Sequence, residues 1–148
     1  MKGDDLPDVI VFRRPTLPEA RILKTLASAA ATSKDAYLNQ AIACYVRVYD
    51  EDGDLELYVP PNVKTIASDR DRPTYLLAEG IYRDEDGMIV DLMLHGSHGR
   101  LEYLEKDKPR ENILNAEPPE SQIIAFPAGT IEPSQWDALL RNREQKQT

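Results

Sequence analysis

The sequence predicts an α+β domain: an antiparallel sheet of five or six strands with an N-terminal and a C-terminal helix packed on it. Three observations carry this expectation. Residues 42–59 and 75–105 alternate apolar and polar side chains with the period of a strand. Each stretch turns back on itself at an acidic segment ending in Asp-Gly, which supplies the positive φ that tight turns need. The stretches after Thr16 and after Pro133 instead repeat apolar residues at helical spacing. The 148 residues fit one domain, 1–148, with residues 1–15 expected as an arm and 144–148 as a fraying tail.

Thr16-Leu17-Pro18-Glu19 reads as a capping box, with Glu19 reaching back to the Thr16 cap. Ile22, Leu23, Leu26, Ala29 and Ala30 then mark the buried face, and residues 32–35 end the helix. The first hairpin opens at Ile42, with Cys44, Val46 and Val48 on one side and residues 50–54 as its turn. Leu55, Leu57 and Val59 return, and Pro60-Pro61 stops the strand. Residues 61–73 form a loop or short helical turn. Residues 75–82, 88–95 and 101–105 form a three-stranded meander with turns at Asp84-Glu85-Asp86-Gly87 and Gly96-Ser97-His98-Gly99. Residues 106–120, with three prolines, read as loop, and residues 122–126 as a short last strand. Trp136, Leu139, Leu140 and Arg143 share one face of the closing helix. Leu23, Leu26, Val46, Leu57, Leu92 and Trp136 are the expected core.

The charge of −8, from 18 basic and 26 acidic residues, disfavours direct contact with nucleic acid and favours a basic partner. The same excess also serves solubility alone. Cys44 is the single cysteine, so no intrachain disulfide forms, and its apolar neighbours make it a buried structural thiol. An unpaired thiol and the lack of a visible targeting segment place the expected location in the cytoplasm.

Catalytic machinery is not visible. Asp50, Asp52, Asp54 and Glu56 alternate as calcium ligands might be spaced, but Gly53 falls at loop position four and Pro61 at position twelve, which a calcium loop does not permit. His95 and His98 lack further zinc ligands nearby and read as turn residues. Glu102 and Glu105 are expected on opposite faces of one strand, which disfavours a shared acid–base site. No phosphate-binding glycine loop or nucleophile elbow occurs, and no cofactor or metal is expected. The acidic turns stand out instead. Asp50, Glu51, Asp52, Asp54 and Glu56, with Asp84, Glu85 and Asp86, are the candidate contacts for a basic protein, and Tyr49, Tyr58 and Tyr82 the candidate aromatic anchors.

The run Gly99-Arg100-Leu101-Glu102-Tyr103-Leu104-Glu105 follows His95 and precedes a charged linker, residues 106–112, and the apolar pair Ile113-Leu114. Over about 30 residues this resembles a pattern in small bacterial proteins, some of them immunity proteins of contact-dependent growth-inhibition systems. The chain departs from it at Tyr103, where that pattern has a tight Glu-Leu-Glu. The resemblance implies a cytoplasmic, non-enzymatic inhibitor of a cognate toxin, often a nuclease with a basic cleft. An adaptor or regulatory subunit without a toxin partner, and an enzyme or small-ligand binder with an unrecognised site, remain the alternatives.

Overall fold

The computed structural model describes residues 11–49, 53–108 and 122–146. Helix α1 (Leu17–Ala27) begins as its capping box dictates. The Glu19 amide donates to Thr16 Oγ1 at 3.3 Å, and the Thr16 amide donates to Glu19 Oε1 at 2.9 Å. Glu19 is buried at the foot of the helix, and Arg13 compensates its charge with two hydrogen bonds of 2.7 and 3.0 Å. Ile22, Leu23, Leu26 and Ala27 are buried.

Helix α2 (Lys34–Ala43) is not expected from the sequence. Its buried positions are Tyr37, Gln40 and Ala41, spaced i, i+3, i+4. One of these is polar and one is small, so no apolar stripe announces the helix. Gln40 is instead the polar anchor of two loops. Its amide nitrogen donates to the carbonyls of Lys64 and Gly99 at 3.0 and 2.9 Å, and its oxygen accepts the Leu101 amide at 2.9 Å. The first hairpin therefore starts later than expected. Ile42 lies in the last helical turn and is half exposed, and Cys44 closes the helix. Cys44 is fully buried, its thiol donates to the Ala41 carbonyl, and burial pushes its pKa up to about 11.

The strands are β1 (Tyr45–Val48), β2 (Leu55–Tyr58), β3 (Tyr75–Arg83), β4 (Ile89–Ser97), β5 (Arg100–Asp107) and β6 (Ile124–Pro127). They form one antiparallel sheet in the order β1-β2-β5-β4-β3-β6, followed by helix α3 (Trp136–Lys146). The meander β3-β4-β5 is thus its centre, and the first hairpin extends it on one side. This is the α+β architecture the sequence predicts, with one helix more.

Alternation assigns the two faces. Ala78, Tyr82, Val90, Leu92, Leu94 and Leu104 point toward α1 and α2 and build the main core with Leu23, Leu26 and Tyr37. Gly80 lets α1 come close: a Cβ there would stand 2.7 Å from Leu26 Cδ2. On the second face Ile81, Phe126 and Leu140 form a smaller core, joined by Ile89, Ile124 and a partly buried Trp136. Helix α3 covers the β3–β6 side of that face, tied down where Arg83 meets Asp137 and Glu144, each at 3.0 Å. Of the expected core residues, Leu23, Leu26, Val46, Leu57 and Leu92 are buried. Among the described residues no helix is long and apolar enough to cross a membrane.

Candidate functional site

The rest of the second face, over β1, β2, β5 and β4, has no described element packed on it. Register places Arg47 beside Glu56, Glu56 beside Tyr103, Tyr103 beside His95, and Glu105 beside Met93. This surface is concave. A trough of about 590 Å³ is lined by Tyr49, Glu56, His95, Glu102, Tyr103 and Glu105, with Leu57 and Thr74 at its margin. Its volume lies within the range of about 300–1,000 Å³ usual for ligand pockets. Tyr49 meets Tyr103 edge to face, with centroids 5.6 Å apart at 85°, and His95 leans on Tyr103 at 6.1 Å. His95 Nε2 lies 3.2 Å from Glu105 Oε1, Arg47 donates to Glu56 Oε2 at 2.6 Å, and the Thr74 hydroxyl donates to Glu102 Oε1 at 3.3 Å.

Glu102 and Glu105 both line this trough, against the expectation that they face apart. The cause is a bulge in β5. His95 pairs with Tyr103 and Gly96 with Leu101, so β5 carries one more residue than β4 there, and that residue is Glu102. The extra residue breaks strict alternation. His95 likewise belongs to β4 and to the trough, whereas His98 does sit in the turn, at φ 53° with Nδ1 2.9 Å from the Arg70 carbonyl.

Asp91 lies on the same face, two positions before Met93, with Asp107 opposite it. It is buried, and its Oδ1 takes no hydrogen bond among the described residues. Burial raises its pKa to about 8, reinforced by the charge and hydrogen bond of Glu79 and by the charges of Asp107 and Glu105. A carboxyl group on this surface is therefore neutral over much of the range where carboxylates are ionised. No group of three or more His, Cys, Asp or Glu among the described residues could hold a metal ion.

Asp54, Asp84, Glu85 and Asp86 fall at one end of the sheet, but several of these side chains are used internally. Asp54 is buried, accepting the Tyr103 hydroxyl at 2.9 Å and the Lys106 amide at 2.8 Å. Asp84 is buried against Lys108 Nζ at 2.8 Å and accepts the Glu85 amide. Lys108 also reaches Asp86 Oδ2 at 2.7 Å, and this contact, with the Met88 amide, holds the Asp86 pKa below the usual carboxylate range. Tyr82 is buried in the main core and is no surface anchor, because its position in β3 points it toward the helices. Asp54, Asp84 and Tyr82 are thus structural residues in the folded chain. Glu85, Tyr49 and Tyr58 are exposed, and Glu56 is half-buried in the trough. Asp50, Glu51 and Asp52 lie outside the described residues.

Sequence reading misses Glu102, Glu105, His95 and Tyr103 as one group. The signal was partly present, since the turn His98-Gly99 before a run of alternating residues is where bulges form, but the sequence does not fix which residue is extra. No family model, no curated protein and no solved structure matches the chain.

Proposed function

We propose that this protein is a non-enzymatic binding module that engages a basic protein through the half of its second sheet face on which no described element packs, acting as an immunity-type inhibitor that occludes the cleft of a cognate toxin. The observation that carries the reading is the trough itself. It joins two tyrosines to three carboxylates, and no lysine or arginine is among its described lining residues. Aromatic side chains supply large contact area at low entropic cost, and carboxylates supply the complement to a basic surface. A cleft built for phosphates is rich in lysine and arginine, so an acidic protein of charge −8 matches it in sign.

The test is co-expression with the product of the adjacent open reading frame, followed by size-exclusion chromatography with light scattering. A one-to-one complex that weakens with salt, and that abolishes the partner's toxicity, supports the reading. A partner that is not toxic, in a complex that still needs the trough, indicates an adaptor instead. Absence of any complex with that product removes the immunity reading.

A further inference from the structure

We infer that the trough receives the guanidinium of an arginine side chain carried by the protein partner, an assignment that rests on the partner-binding function proposed above. The fold shows the geometry twice within itself. Arg47 lies over the Phe12 ring, 5.5 Å from its centroid, while bonding Glu56 at 2.6 Å. Arg72 lies over the Tyr75 ring at 4.1 Å while bonding Asp69 at 3.0 Å. In both, a planar cation sits between an aromatic face and a carboxylate, the arrangement a guanidinium satisfies best.

The trough repeats these surroundings, and among its described lining residues there is no lysine or arginine; Arg47 reaches it only through Glu56. Tyr49 and Tyr103 supply the rings, and Glu56, Glu102 and Glu105 the carboxylates. Each carboxylate has one oxygen engaged, by Arg47, Thr74 and His95 respectively. The other oxygen of each takes no hydrogen bond among the described residues, which leaves three acceptors on one concavity. Arginine has five donors in a fixed fork that can serve several carboxylates at once, whereas lysine offers a compact, strongly hydrated ammonium. The trough of about 590 Å³ is larger than one side chain, which leaves room for residues that flank the arginine in a partner chain.

The experiment follows backbone-amide and tyrosine-ring NMR signals of the whole protein during titration with acetyl-Gly-Arg-Gly-amide. Its lysine and citrulline counterparts and free argininamide serve as comparisons. Shifts should centre on Tyr49, Glu56, Tyr103 and Glu105. The lysine peptide should bind about threefold more weakly, and citrulline, which keeps the shape but loses the charge, about tenfold more weakly or not at all. Glu102→Gln with Glu105→Gln should weaken the arginine peptide about tenfold, and the single Glu105→Gln less, while Glu85→Gln leaves it unchanged. Equal binding of arginine and lysine peptides, or shifts centred on the turn at Asp86, overturns the assignment. Free argininamide binding as tightly as the peptide also overturns it, in favour of a small-molecule site. The two readings fail separately. A complex with the neighbouring gene product that survives Glu102→Gln with Glu105→Gln sinks the arginine anchor and keeps the partner. Peptide binding without any such complex keeps the anchor and removes the immunity role.

Discussion

The two faces of the central meander come from the same strands read at alternate positions, yet they are built to opposite ends. Toward α1 and α2, Val90, Leu92, Leu94 and Leu104 are each 0% exposed, and even the polar Gln40 has every side-chain polar atom bonded. On the other side the same strands present Asp91, Met93, His95, Tyr103 and Glu105. A face that only had to meet water would need none of the aromatic rings and no buried carboxyl with an oxygen that lacks a partner among the described residues. The first face is close-packed throughout, whereas the second, outside the small core under α3, carries features that cost stability or contribute little to it.

The largest expected effect lies on the first face. Leu92→Ala should destabilise the protein by about 2–5 kcal/mol, measured by chemical denaturation, because the cavity it leaves cannot collapse between sheet and helices. A cost below about 0.5 kcal/mol would mean that this face is not the close-packed one. Gln40→Leu should come next, at roughly 2–4 kcal/mol, since it takes their side-chain partner from the Lys64 carbonyl and the Leu101 amide and leaves the Gly99 carbonyl with the Ile66 amide alone. If Gln40→Leu proves neutral, water replaces the lost bonds and the α2 anchor is weaker than its geometry implies.

On the second face the expected effect depends on pH. The folded-state pKa of Asp91, raised to about 8, exceeds an unfolded value of about 3.9. Between those values the folded chain keeps a proton that the unfolded chain has lost, so the Asp91 contribution is complete below pH ~4 and disappears as pH rises through ~8. Asp91→Asn keeps the shape without the charge. Its melting temperature should equal the parent's near pH 4 and exceed it at pH 8 by at least about 2–4 °C, the equivalent of 1 kcal/mol for a domain of this size. A difference that does not change with pH would show that Asp91 is ordinarily ionised.

The smallest effect is expected in the trough. Tyr49→Ala and Glu102→Gln remove exposed side chains from a surface with no described element upon it, and each should stay within about 0.5 kcal/mol of the parent. Thermal melts showing losses comparable to Leu92→Ala would make the trough a structural feature and erase the contrast between the faces.

By itself the sequence determined the class of the fold, because strand alternation, Asp-Gly turns and the Thr16–Glu19 capping box are local signals that act over a few residues. It also determined that Cys44 would be buried and that the chain would carry a strong acidic excess. Tertiary structure alone decided the rest. Helix α2 is held by Tyr37 and Ala41 in the main core and by Gln40, whose three partners come from residues 64, 99 and 101, none of them near it in the chain. The acidic turns look alike in sequence, but Lys108 and the Tyr103 hydroxyl, arriving from β5 and its end, convert Asp84 and Asp54 into buried structural groups. The trough depends on a single extra residue in β5, which turns Glu102 onto the surface shared by Glu105, Tyr49 and His95. Charge and periodicity are properties of the chain, whereas the partner of each polar group is set by distances between strands, and only folding fixes those.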